Sequence, residues 1–195
     1  MGKNIFYSNG NINEKDRKNL TGHKGGVFWF FGLSGAGKSA VSRKVEENLI
    51  NNGILCFRLD GDNLRSGLNS NLGFSKEDRY ENIRRAAETA KLLAKAGVVV
   101  LATFITPLEE NRMTCRKILG DYYNGVYVKC SLDTCKNRDP KGLYEKAIKG
   151  EIPDFTGISA PFEEPENDIY TLDTDAFDEA ACIKAATAHI MKLIK

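Results

Sequence analysis

A three-layer α/β/α sandwich around a mainly parallel, five-stranded sheet is predicted, and three observations carry it. Five apolar segments, 27–31, 54–59, 98–105, 125–130 and 169–173, are separated by stretches that include helical spacing. The run Val98-Val99-Val100-Leu101-Ala102-Thr103-Phe104-Ile105 is unbroken, as a parallel strand buried on both faces reads. Val27-Phe28-Trp29-Phe30-Phe31 leads directly into Gly32-Leu33-Ser34-Gly35-Ala36-Gly37-Lys38-Ser39, which matches G-x-x-x-x-G-K-[ST] and opens a helix. Strand, phosphate-binding loop and helix in that order mark a P-loop NTPase.

The loop needs its glycines because the chain must curl tightly and bring backbone N–H groups up to phosphate oxygens. Lys38 is then expected to reach the β- and γ-phosphates of a nucleotide, and Ser39 to offer its hydroxyl to Mg²⁺. The four fixed positions coincide by chance in roughly one chain in a hundred of this size, so context decides. Here Ala40, Val41, Val45, Leu49 and Ile50 keep helical spacing up to an Asn51-Asn52-Gly53 stop.

Composition bounds the rest. The 195 residues, 42% of them hydrophobic, suit one domain with a full core, expected over 25–195. A net charge of +2 is too balanced for an electrostatic nucleic-acid binder. No run of 18 apolar residues or apolar signal core occurs, so a cytoplasmic protein with no membrane partner is expected. Five scattered cysteines without C-x-x-C predict reduced thiols rather than a metal site. Residues 1–24 are polar and predict an arm, with a short helix near Asn13–Lys18 and with Arg17, His23 and Lys24 on a solvated face.

The second strand ends in Asp60-Gly61-Asp62-Asn63-Leu64-Arg65. Ligands of open α/β sheets bind beyond the carboxyl ends of the strands, so this acidic turn shares a rim with the P-loop. Asp60 and Asp62 can serve Mg²⁺ through water or accept a proton from a substrate hydroxyl. Ser66–Arg79 predicts a loop with short helical turns. Phe74, Arg79, Asn82, Arg84 and Arg85 follow in a combination that suits a planar base and an anionic group. A helix carries Ile83, Ala86, Ala87, Ala90, Leu93 and Ala94 to Gly97. The third strand ends at Thr106-Pro107 without the usual Walker B aspartate, which moves metal duties to Ser39 and the Asp60/Asp62 turn. Helices are expected over about 109–119 and 178–195. The charged, Gly- and Pro-punctuated stretch at about 138–162 predicts a mobile lid bearing Arg138 and Lys141 over phosphates. A GTPase lacks support because no Asn-Lys-x-Asp occurs; a motor or helicase lacks it because of the small size and missing Walker B.

Beyond the P-loop, the chain carries Gly22-His23-Lys24-Gly25, Asp60-Gly61-Asp62-Asn63-Leu64-Arg65, Leu72-Gly73-Phe74-Ser75, Asp78-Arg79-x-x-Asn82-Ile83-Arg84-Arg85, Arg138-Asp139-Pro140-Lys141-Gly142-Leu143-Tyr144 and Phe155-Thr156-Gly157-Ile158. Together these closely resemble the adenylylsulfate (APS) kinases of sulfate assimilation, from about Arg17 to Asn167. The resemblance implies transfer of the γ-phosphoryl of ATP to the 3′-hydroxyl of adenosine 5′-phosphosulfate, giving ADP and PAPS. It implies Asp62 as the base, and Arg65, Arg79 and Asn82 on the phosphosulfate and ribose. Phe74 and Phe155 would stack on the substrate adenine, Ile105, Thr106 and Leu143 would line its site, and Arg138 and Lys141 would serve the nucleotide and lid. A homodimer is implied, and association with a separate ATP sulfurylase is compatible with it. The family usually has Ser in a Phe-Ile-Ser-Pro turn, often labelled a phosphoserine intermediate. Here the turn is Phe104-Ile105-Thr106-Pro107, whose extra methyl stiffens χ1, and direct in-line transfer requires no such nucleophile. Two alternatives stay open: the same scaffold acting on another nucleoside-diphosphate-like acceptor, for which Thr106 is the hint, and a nucleotide-binding subunit without catalysis, against which Lys38, Ser39, Asp62 and Arg65 argue.

Overall fold

The computed structural model describes residues 10–166 and 169–195, so residues 1–9 of the predicted arm lie outside the described residues. Five strands, β1 (Gly26–Phe31), β2 (Cys56–Asp60), β3 (Val99–Thr103), β4 (Tyr123–Lys129) and β5 (Tyr170–Asp173), form one parallel sheet in the order β2-β3-β1-β4-β5. β1 is central and wholly buried. Its side chains alternate between two cores, since successive Cβ atoms point to opposite faces of a sheet. Phe28 and Phe30 join the core under α2 (Lys38–Asn51) and α8 (Glu179–Leu193); Val27, Trp29 and Phe31 join the one under α4 (Lys76–Lys95) and α5 (Glu109–Leu119). Complete burial of each such side chain contributes roughly 1.5–3 kcal/mol. The α4 seam is Ala86, Ala87, Ala90 and Ala94, small enough to let the helix lie close to the bulky β1 rings.

All five expected strands are present, and the differences lie at boundaries and in short helices. β3 ends at Thr103 rather than Ile105, because Thr106 adopts φ +41° and turns the chain away. α4 starts at Lys76, inside the stretch expected to be loop. Ser75 caps it by accepting from the Asp78 N–H at 3.1 Å, a Ser-x-x-Asp start signal. The acidic turn is itself a short helix, α3 (Gly61–Arg65), and the lid stretch contains the end of α6 (Leu132–Arg138) and all of α7 (Leu143–Ile148). The N-terminal helix is α1 (Glu14–Thr21), opened by an Asn13/Asp16 capping box.

His23 corrects the expectation of a solvated face. It is buried; its Nε2 accepts from the Leu55 N–H at 3.1 Å, and its Nδ1–H donates to Lys24 O at 3.0 Å. A neutral imidazole thus joins the segment before β1 to the segment before β2, a tie between residues 32 positions apart that no local pattern signals. The five cysteines are all buried free thiols. Among the described residues no helix is long and apolar enough to cross a membrane.

Candidate active site

Gly32 leaves the carboxyl end of β1 with φ +149°, and a Cβ there would stand 2.4 Å from Val128 O, so no other residue fits. The chain curls through Gly35 and enters α2 at Lys38. Lys38 Nζ donates to Gly32 O at 3.0 Å and to Leu33 O at 2.7 Å, which holds it within the loop. Burial pushes its ammonium down to about 8, against the opposing charges of Asp60 and Asp62. Phosphate beside Lys38 restores the protonated form, so nucleotide affinity is expected to fall as pH rises through about 8, with proton uptake on binding. In the unliganded protein the sign is opposite for folding. Between about 8 and 10.5 the unfolded chain holds more protons at this lysine, so stability rises with pH across that window. Calorimetry of ADP binding in buffers of different ionisation heat checks this; equal affinity at pH 7 and pH 9.5 with no proton uptake would refute it.

Asp60, at the end of β2, accepts on Oδ2 from Ser39 Oγ (3.0 Å), Thr103 Oγ1 (2.9 Å) and Arg58 Nη1 (3.0 Å), and on Oδ1 from the Asp62 N–H (3.0 Å). Burial alone would raise its pKa, but the hydrogen bonds from Thr103, Ser39 and Asp62 together with the Arg58 charge outweigh it and hold the carboxyl below its usual range. The strand expected to carry a Walker B aspartate ends in Thr103, and the register Asp60↔Thr103 brings the Asp60 carboxylate across to the P-loop serine instead.

Asp62 stands one residue into α3, largely exposed, with Lys141 Nζ 2.5 Å from its Oδ2. Behind it, Arg65 donates to Leu72 O and Gly73 O (3.2 and 2.6 Å) and Arg79 donates to Phe74 O at 2.8 Å. Both guanidiniums lie over the Phe74 ring, at 4.5 and 5.8 Å from its centroid. Burial, and then the nearby Arg79 charge, lowers the Arg65 pKa, the mark of paired cations that an anion would relieve. Phe155, buried edge-on against Tyr144, faces the same space.

These groups line one cavity of about 1100 Å³, above the roughly 300–1000 Å³ usual for a single small-molecule site. Lys38 and Ser39 stand at it together with Asp60, Asp62, Arg65, Phe74, Arg79, Asn82, Ile105, Thr106, Arg138, Lys141, Leu143 and Phe155. Arg84 and Arg85 do not reach it, because both pair with Glu81 on the α4 surface, at 2.6 and 2.8 Å. Arg138 is turned toward the end of β5, donating to Thr174 O at 2.7 Å. In the lid stretch, Asp139 accepts from the N–H groups of Leu143, Tyr144 and Glu145, and the Tyr144 hydroxyl donates to Ser34 O at 2.9 Å, tying α7 to the P-loop.

Thr106 is strained and spent. A β-branched residue at φ +41° is a genuine outlier, and its buried Oγ1 accepts from Trp29 Nε1 at 2.9 Å. Its carbonyl accepts from the buried Arg112, whose guanidinium also pairs with Glu109 at 2.6 Å and lies over the Phe31 ring. Trp29, Arg112 and the cavity residues Thr174 and Phe177 were missed in the sequence. The last two follow β5, and extending the strand-end rule to that strand would have found them.

A phosphate-gripping loop facing an exposed carboxylate and two guanidiniums across one cavity defines a P-loop kinase acting on a small anionic acceptor. Comparison with known proteins narrows the class: the Adenylylsulphate kinase family model matches residues 24–173, and the chain belongs to that family of ATP-dependent kinases. The adenylyl-sulfate kinase of Staphylococcus epidermidis is 53% identical over 192 residues, covering 98% of this chain and 94% of its own. That of Clostridium acetobutylicum is 48% identical, covering 92% and 90%. Among solved structures, the Mycobacterium tuberculosis APS kinase in complex with AMPPNP and APS superposes with a TM-score of 0.79 at 45% identity, covering 84% of this chain and 96% of that one.

Proposed function

We propose that this chain transfers the γ-phosphoryl of ATP to the 3′-hydroxyl of adenosine 5′-phosphosulfate by direct in-line displacement, with Asp62 as the base. The observation that carries the reading is the single cavity in which Lys38 and Asp62 line the same space. Asp62 takes the hydroxyl proton as the 3′ oxygen bonds to the γ phosphorus; the bond to the bridging oxygen breaks and its electron pair leaves with ADP. Arg65 and Arg79 hold the phosphosulfate, Phe74 and Phe155 the adenine, and Lys38 the transferring phosphate. Ile105, Thr106 and Leu143 complete the acceptor wall, and Arg138 serves the nucleotide side. The oxygen-bearing groups Ser39 Oγ, Asp60 and Asp62 fit Mg²⁺ and would hold it, and when bound it would supply neutralisation of phosphate charge. Movement of the lid at 138–162, within the single domain of 25–195, carries Lys141 from Asp62 to phosphate and frees the carboxylate.

Thr106 positions the turn rather than attacking. Thr106→Val deletes the hydroxyl and leaves the Trp29 N–H without its acceptor, so a stability loss of about 1–3 kcal/mol is expected. Turnover is expected to stay within about tenfold, because direct transfer asks nothing of that oxygen. Loss of about a thousandfold or more in folded Thr106→Val would restore the covalent route.

The reading extends to a homodimer, for which the outer edge of β2, unpaired among the described residues and with Leu55 and Phe57 half exposed nearby, offers an apolar strip. Five buried free thiols suit the reducing cytoplasm. A separate ATP sulfurylase is the partner whose product this chain would use. A coupled ADP-release assay with Mg-ATP, comparing APS against AMP, ADP, CDP and no acceptor, tests the function. Turnover confined to APS, with a 3′-phosphorylated product, is the expected result; turnover only with another acceptor would overturn it.

A further inference from the structure

Asn69 is a wholly buried amide beside the acceptor wall that the reaction above does not use. It lies in the turn after α3, its backbone fixed by Asn69 N–H to Leu64 O at 2.8 Å and Leu72 N–H to Asn69 O at 3.0 Å. Its Nδ2 donates to Asn82 Oδ1 at 2.9 Å, while its own Oδ1 is buried without a partner among the described residues. An orphaned buried acceptor is costly, and an apolar side chain of similar shape would avoid it. What the amide contributes in return is its N–H. Asn82 is nearly buried on α4 yet reaches the cavity next to Arg79.

A pair of amides can join in two orientations that exchange donor and acceptor. With Asn82 Oδ1 occupied by Asn69, the Asn82 Nδ2 remains available as a donor. The reverse orientation would turn carbonyl lone pairs toward an anion already gripped by donor-only guanidiniums, a repulsive arrangement. We propose that Asn69 is a positioning residue that locks the Asn82 amide with its N–H groups toward the acceptor, so that this wall selects an anionic, hydrogen-bond-accepting ligand. The inference rests on the acceptor site described under the proposed function.

A double-mutant cycle decides it, using the full chain, Mg-ATP and APS, with APS affinity also read by calorimetry. Asn69→Ala is expected to raise the KM and dissociation constant for APS about tenfold while those for ATP change less than about twofold. In an Asn82→Ala background the same substitution is expected to change APS affinity no further. Equal effects on both substrates, or an undiminished effect when Asn82 is absent, would overturn the proposal and leave Asn69 as packing. If Asn69→Ala does not fold, Asn69→Leu carries the test. It keeps the shape of the side chain and removes both the orphaned Oδ1 and the donor to Asn82 Oδ1, so weakened APS binding with ATP binding and the fold retained is expected, and normal APS binding in folded Asn69→Leu would refute the orientation. A wild type that binds APS without phosphorylating it would sink the proposed reaction while the cycle still judged Asn69; a wild type that does not bind APS would sink both.

Discussion

Asp62→Asn is expected to lower kcat by about 10²- to 10⁴-fold while leaving the ATP dissociation constant within about threefold. The substitution preserves shape and removes the carboxylate to which the proposed reaction assigns the 3′-hydroxyl proton. Asp60 is a poor substitute: both its oxygens are engaged by Ser39, Thr103, Arg58 and the Asp62 N–H, and these hold its carboxyl below its usual range. An uncharged amide at that position would also release the Lys141 ammonium now paired at 2.5 Å, so phosphate affinity is expected to hold or rise slightly as the chemical step collapses. Single-turnover kinetics separates the two effects. A near wild-type kcat in the Asp62→Asn enzyme would remove the base assignment and shift attention to a substrate-assisted route.

Lys38→Ala should cost about 10²- to 10³-fold or more in kcat/KM for ATP, since the proposed reaction loses the cation it sets on the transferring phosphate. The melting temperature of the unliganded protein is expected to change little, because burial already disfavours that cation in the folded state. Stabilisation by ADP should shrink sharply, as linkage to a weakened ligand requires. Scanning calorimetry with and without ADP distinguishes this from simple unfolding; unchanged ADP stabilisation in Lys38→Ala would mean that the loop amides alone hold the nucleotide. Lys38→Arg is expected to rescue poorly, since a planar fork does not fit where a compact ammonium sits between two loop carbonyls.

Much of the site was legible before the fold because P-loop chemistry is local. A tight turn that presents N–H groups to phosphate needs Gly at fixed spacing, and Gly32 shows why: any Cβ would collide with Val128 O. An unbroken apolar run and 3.6-residue spacing along α2 and α4 are likewise properties of short segments, which is why the strands and long helices were readable. The resemblance carried Asp62, Arg65, Phe74 and Asn82, residues whose motifs stay contiguous.

Tertiary structure alone decided the contacts between distant segments. Asp60 reaches the P-loop serine only because β2 pairs with β3 in a register that puts it opposite Thr103. His23 is buried because Leu55, 32 positions away, needs an acceptor for its N–H, and Thr106 is tied down because Trp29 needs one for its indole. Arg84 and Arg85 were drawn off the site by Glu81, one turn back on a helix whose start was placed too late. In each case a buried or charged group must find a partner, and the partner it finds depends on which strands become neighbours, a choice made by the packing of the whole sheet.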